Sequence, residues 1–254
     1  MLLDKIRERA DRVRHWWLAR GYRLPGGYRR IYHYHIRKTA GTSVNFMFYG
    51  LRGEKPYDVH QRMVDSRGRY TVSGGLIFNA WRPDLAQRGH YFYASSHAPA
   101  YNLALPTDTF TLTCFRDPQK RLISFYKMLA AYRRDNVQHP VMGQYGHHLQ
   151  GGFASFVRTL PAERINDLTA MFSPTLDPDE AFERVAACSC ILFVEDLEAG
   201  VAELAHTLDL PLQFRHSRRS RYEFTEGTDE ALSILQDRQA PDRELYARVK
   251  AAYG

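Results

Sequence analysis

"YHYHIRKTAGTSVNFMF" (residues 32–48) joins an aromatic and β-branched run to an apolar, helix-like pattern through Arg37-Lys38-Thr39-Ala40-Gly41-Thr42-Ser43. That order is strand, small-residue loop, helix start. Such a loop presents consecutive backbone N–H groups and the positive end of a helix dipole, so an anion is its expected guest. A nucleoside-triphosphate loop would read G-x-x-x-x-G-K-[ST]. Here Arg37 precedes Lys38, Gly41 is the loop's one glycine, and none stands where the signature's first glycine would fall. The lysine and threonine of a triphosphate loop are present, but its glycines are missing.

Working outward, the first strand is expected over Arg30 to Ile36, with further strands over 90–98, 108–115 and 190–194. Helical patterns cover 43–51, 118–132, 153–160, 162–172, 180–188 and 198–207. Strands alternating with helices predict an α/β fold, a P-loop-like three-layer α/β/α sandwich with a mainly parallel central sheet. Ligands of such sheets bind beyond the carboxyl ends of the strands, where the opening loop lies. Residues 52–90 and 133–152 read as loops shaping an acceptor site.

The 254 residues are 44% hydrophobic, enough for a sizeable core. The net charge of +7 is carried mostly by arginine, since only six lysines are present. That excess suits phosphate or sulfate recognition and equally fits a compositional bias. Cys114, Cys188 and Cys190 are odd in number and lack framework spacing, which predicts reduced thiols and a cytoplasmic chain. No stretch reaches the ~18 apolar residues of a membrane span. The first residues lack the apolar core and cleavage site of a signal peptide.

Residues 1–27 read as an amphipathic helix and a linker, with the main domain over 28–254. Leu2, Ile6, Ala10, Val13 and Trp17 share one helical face, arginines fill the other, and Trp16 stands at the edge. The helix either packs on its own domain or lies peripherally on a membrane surface or a partner. Gly21, Pro25, Gly26 and Gly27 form the linker.

The order lysine, threonine, small, small, Thr/Ser, Ser is a signature of its own. "HIRKTAGTS" (35–43) resembles the 5′-phosphosulfate loop of sulfotransferases that use 3′-phosphoadenosine 5′-phosphosulfate. It looks most like the carbohydrate branch related to the heparan sulfate 2-O- and 6-O-enzymes, which often carry H-I-P-K-T-[AG]-[GS]-[ST]-[ST]. "TLTCFRDPQKRLISFYKML" (111–129) resembles the family's second motif, a strand ending in R-D-P-x-x-R-x-x-S-x-Y. Asp117 is placed to cap the following helix, and Pro118 suits its first turn. "ERINDLTAMFS" resembles the family's N-x-Q-T-R-x-L segment, with Asp167 where glutamine is usual. "DRELYARV" (242–249) matches its D-x-x-L-Y ending. The resemblance runs from about residue 30 to the end, strong in two motifs and diffuse elsewhere.

The resemblance implies that Arg37, Lys38, Thr39, Ala40, Gly41, Thr42 and Ser43 bind the donor's 5′ end. It gives the 3′-phosphate to Arg116 and Ser124, for which a guanidinium and a hydroxyl are chemically suited. His97 falls where the family has a Gly-His after a strand, the histidine serving as general base. Here Ser96 replaces that glycine, and Ser95 stands where the 2-O branch has a second histidine. His97 and Lys38 are thus the expected catalytic residues, acting on a carbohydrate or other hydroxyl without a metal. His33 and His35 read as core or rim packing. The basic "RHSRRSRY" (215–222) falls at a cofactor-covering loop or is a solvated charge run. His139, His147 and His148 lack carboxylate or cysteine partners at zinc-ligand spacing. Two other classes compete. A nucleotide-dependent kinase lacks its glycines and a magnesium-binding acidic strand end. A non-catalytic polyanion binder is allowed by the charge, but no nucleic-acid motif supports it.

Overall fold

The computed structural model describes residues 13–66, 68–214 and 228–254. The chain divides into two compact units, each assembled from separated stretches. One holds residues 13–35, 40–114 and 188–214; the other holds 36–39, 115–187 and 228–254. The opening loop passes from one unit to the other between Thr39 and Ala40.

The first unit carries the sheet. Its strands are β1 (Arg30–Tyr34), β2 (Tyr70–Ser73), β3 (Leu76–Ala80), β4 (Tyr93–Ser96), β5 (Thr109–Phe115, whose last residue counts with the other unit) and β6 (Cys190–Phe193), in the order β2-β3-β4-β1-β5-β6. β1 runs parallel to β4 and β5, and β3 parallel to β4, while β2 is an antiparallel edge. Alternation assigns side chains to faces. Ile31, Phe78, Tyr93 and Leu112 share a core with Val44 and Phe48 of the helix Gly41–Tyr49 and with Val201 and Leu204 of the helix Leu197–Leu208. Tyr32, Ile77 and Ala94 turn to the other face, where Ala86 and Leu18 pack. Helices therefore cover both faces of this sheet. Phe48 is fully buried, its ring stacked on Tyr93 at 4.2 Å. Full burial of such a side chain contributes about 1.5–3 kcal/mol.

Residues 52–90 depart from expectation. They hold the helix Pro56–Asp65, strands β2 and β3, and the helix Pro83–Arg88 rather than a loop. Gly74 (φ 51°) and Gly75 (φ 82°) form the two-residue connection, a conformation that glycine adopts at little steric cost. Residues 133–152 are likewise structured, by the helix Pro140–Tyr145 and the 3-10 turn Gly146–Leu149.

The second unit is helical. Asp117 caps the helix Pro118–Arg134 by accepting from the Lys120 N–H at 2.8 Å, with Pro118 in the first turn as the sequence indicated. Its apolar face, Leu122, Phe125, Tyr126 and Leu129, meets Phe153 and Phe156 of the helix Gly152–Thr159. The helix expected over 162–172 is two, Ala162–Ile165 and Asp167–Phe172. Asn166 breaks it at φ −104°, ψ 52°; its side chain donates to the carbonyls of Ala162 and Arg238 and accepts from the Asp242 N–H.

The amino-terminal helix also differs. Leu2, Ile6 and Ala10 lie outside the described residues, and the helix is seen over residues 13–21. His15 and Ala19 are its buried positions, and Leu18 packs beside them, whereas Val13 and Trp17 are exposed. The helix lies on its own unit by a different face from the apolar one.

Candidate active site

The loop's backbone is unusual for its residue types. Lys38 (φ 70°) and Ala40 (φ 60°) both occupy the left-handed region without being glycine. Each such residue costs on the order of 1–3 kcal/mol, a strain that clusters at ligand clamps. Alternation of this kind turns successive N–H groups to one side, the concavity that holds anions. Ala40 opens the helix Gly41–Tyr49, and no side chain caps it. Thr42 is exposed, whereas Gly41 and Ser43 are buried.

In the helical unit, the two motifs meet directly. Arg116, at the end of β5, donates through Nη1 to the Lys38 carbonyl at 3.1 Å. Lys38 Nζ lies 3.5 Å from the Met128 sulfur, placing the ammonium along the motif helix. Thr39 is fully buried, and its hydroxyl donates to the Ile36 carbonyl at 2.9 Å. That bond pins the loop and turns the Thr39 hydroxyl onto the loop's own backbone. Burial draws the Arg37 guanidinium below its ordinary pKa, while Asp167 pulls the other way. Ser124 is partly buried two turns into the motif helix.

A buried charge cluster anchors this half, and the sequence reading passed over it. Arg121 is fully buried; it donates to the carbonyls of Arg164 and Ile165 and lies 3.5 Å from Asp167 and 3.9 Å from Asp242. Asp167 also pairs with Arg164 at 2.6 Å, which gives the carboxylate that replaces the usual glutamine a partner. Asp242 accepts from the Leu168 N–H and from both the N–H and the hydroxyl of Thr169. Burial pushes Asp242 up to about 6 despite Arg121 and these donors. Gln239 completes the frame by donating to the Pro118 carbonyl at 3.0 Å. The signal was present as Arg121 in R-D-P-x-x-R and Asp242 in D-x-x-L-Y, two positions with no assigned role.

In the sheet unit, three imidazoles line up. His97 Nδ1 lies 2.6 Å from the His35 carbonyl, and the two rings are 4.4 Å apart. A carbonyl only accepts, so His97 donates from Nδ1 and the neutral ring carries its lone pair on Nε2. His35 stacks in turn on His33 at 5.1 Å. His33 is fully buried beside Asn45 and Tyr93, and burial lowers it to about 4, so it stays neutral. A Cβ on Gly41 would stand 1.9 Å from the His35 ring, so any other residue there would have to displace that ring. His35 is thus no bystander: it meets the loop helix with its ring and His97 with its carbonyl. Ser96 has a use as well. Its hydroxyl bonds to Tyr32 at 2.7 Å and accepts from the Ala98 N–H at 3.0 Å, which fixes the turn that carries His97.

The other histidines have local work. His139 caps its helix by accepting from the Val141 N–H, and His148 bonds to Thr159. Among the described residues, no group of three or more His, Cys, Asp or Glu is placed to hold a metal ion. Burial pushes the Cys188 and Cys190 thiols up to about 12, which makes them inert. The stretch 215–222 lies outside the described residues.

Comparison with curated proteins gave no match. A family model does match: that of the sulfotransferase family, over residues 27–248, and the chain belongs to that family.

Proposed function

We propose that this sulfotransferase moves a sulfuryl group from 3′-phosphoadenosine 5′-phosphosulfate to a hydroxyl of a carbohydrate or glycoconjugate. The supporting observation is the hydrogen bond from Arg116 to the Lys38 carbonyl, which joins the loop motif to the strand-end motif. In this reading Lys38 and the loop face the donor's 5′ end, and Arg116 with Ser124 faces its 3′-phosphate. A guanidinium and a hydroxyl suit a phosphate dianion. The carbohydrate acceptor rests on the likeness of "HIRKTAGTS" and the strand-end motif to the carbohydrate branch.

The donor supplies an electrophilic sulfur with a phosphate leaving group. The loop N–H groups, with the Thr42 and Ser43 hydroxyls, hold its 5′ oxygens. The Lys38 ammonium meets the negative charge that grows on the bridging oxygen as the bond to sulfur breaks. His97 accepts the acceptor's hydroxyl proton at Nε2 as that oxygen bonds to sulfur. One S–O bond forms, one breaks, and the proton ends on His97. As in phosphoryl transfer, positioning and preorganised charge supply the catalysis.

A thermal-shift panel tests the donor. 3′,5′-Adenosine bisphosphate should raise the melting temperature, and 5′-AMP, magnesium-ATP and an oligonucleotide should not match it. An equal response to 5′-AMP would overturn the 3′-phosphate assignment, and magnesium-dependent ATP binding would favour a kinase. Mass spectrometry of glycan extracts incubated with labelled donor tests the acceptor class.

A further inference from the structure

Val13, Trp16, Trp17 and Arg20 form one stripe along the helix of residues 13–21, at spacings of three and four. The stripe points away from the protein. Val13 is 54% exposed, Trp16 37% and Trp17 66%, while His15 and Ala19 are buried against the sheet unit. His15 meets the Tyr70 ring edge-on at 4.7 Å, so the packed face is occupied and fixes which way the tryptophans point. Val13 and Trp17 of this stripe belong to the face that the sequence makes apolar, on which Ala10, Ile6 and Leu2 also fall by spacing. An apolar stripe turned outward by the packing of the opposite face calls for an apolar counterpart.

Charge decides its nature. Residues 1–23 carry seven Lys or Arg against three Asp or Glu. Arg14, Arg20 and Arg23 are exposed, and the Arg20 guanidinium lies over the Trp16 ring at 4.4 Å. Tryptophan rings flanked by arginines suit the headgroup layer of a bilayer, where the ring enters the interface and the cation meets lipid phosphate. Among the described residues no helix is long and apolar enough to cross a membrane, so this contact is one of lying on the surface. We propose that this face docks the enzyme on an anionic lipid bilayer, with Trp16 and Trp17 inserted at the interface and the arginines on the headgroups. The proposal is independent of the donor assignment.

The full chain should co-sediment with vesicles of equal phosphatidylcholine and phosphatidylserine, more weakly with phosphatidylcholine alone, and less as salt rises. Its tryptophan emission should shift to the blue on binding. A Trp16→Ser/Trp17→Ser protein should lose vesicle binding by on the order of tenfold or more. Because both side chains are exposed, it should keep its circular dichroism and its affinity for 3′,5′-adenosine bisphosphate. An Arg14→Gln/Arg20→Gln protein should lose the preference for anionic vesicles. Failure of the native chain to bind, or undiminished binding by the tryptophan variant, would overturn the proposal. So would self-association in sedimentation velocity that the tryptophan substitutions abolish, because the face would then belong to a second copy.

Discussion

His97 donates its Nδ1 proton to the backbone carbonyl of His35, and their rings lie 4.4 Å apart. The carbonyl sets the tautomer of His97, while the ring places a second titratable group beside it. His33, stacked on the far side of His35, is held neutral by burial and adds no charge near neutral pH.

The base and its neighbour should therefore separate kinetically. His97→Ala should lower turnover by ~10²–10⁴, the usual weight of a general base, with affinity for 3′,5′-adenosine bisphosphate unchanged. Native activity should rise with pH as imidazole loses its proton. His35→Phe keeps a ring and the carbonyl that fixes the His97 tautomer, so it should lower turnover far less than His97→Ala does. Native turnover in His97→Ala would instead make His35 the base.

Gly41 and His35 should couple. Gly41→Ala drives a methyl group into the His35 ring and should cost about 1–3 kcal/mol by urea unfolding, the scale of overpacking. In a Gly41→Ala/His35→Ala protein the obstacle is gone, so the two costs should fall short of additive. Additive costs would mean that the ring moves aside freely.

Arg116 should govern nucleotide choice. Arg116→Ala should lose about 1.5–3 kcal/mol of the preference for 3′,5′-adenosine bisphosphate over 5′-AMP, as for a charge-assisted hydrogen bond. Calorimetric titration of both nucleotides measures it. An unchanged ratio would give Arg116 a purely structural role toward the Lys38 carbonyl.

Lys38 allows chemistry and backbone strain to be told apart. Lys38→Ala and Lys38→Gly should both lower turnover by on the order of 10²–10³. At φ 70° glycine removes the strain that alanine keeps, so the glycine variant should be the more stable of the two by about 1 kcal/mol. Equal stability would mean that the loop relaxes once the ammonium is gone.

Two buried groups should oppose each other in pH dependence. Burial holds Asp242 at about 6, above an ordinary aspartate, so its contribution to stability is full at low pH and is lost as pH rises through 6. His33, lowered to about 4, contributes above the ordinary histidine value and loses that contribution as pH falls toward 4. Asp242→Asn should therefore uncover a loss of stability on acidification from pH 6.5 to 4, and His33→Gln a gain. Urea midpoints across that window check both slopes, and matching slopes in the two variants would reject the assignment.

The two motifs were legible because each combines a local structural signal with a chemical one. Residues 32–48 read correctly as strand, loop and helix, and Asp117-Pro118 marked the helix start. The hairpin around Gly74-Gly75 was equally visible as a turn signal but was passed over, since its strands sit in a stretch that reads as polar loop. Arg121 and Asp242 were seen without a role because their pairing spans 121 positions and is made only in the folded chain. Gly41 was read as one of the donor-binding loop residues and not for its fit, because the His35 ring beside it is close only in space. The outward turn of Trp17 was hidden for the same reason: periodicity finds an apolar face but does not say what it meets.

The division of the chain has a consequence for its synthesis. Each unit is interrupted in sequence by the other, and the sheet unit needs β6, which is made only after the helical segment 115–187. The helical unit needs the buried carboxylate of Asp242 to hold Arg121 and the turn at Thr169. Neither unit can therefore close while most of the chain is still emerging from a ribosome, and contacts this distant in sequence form slowly. Nascent chains should stay protease-sensitive until the final helix, Ala240–Tyr253, is released, and no single cut should yield two fragments that each fold alone.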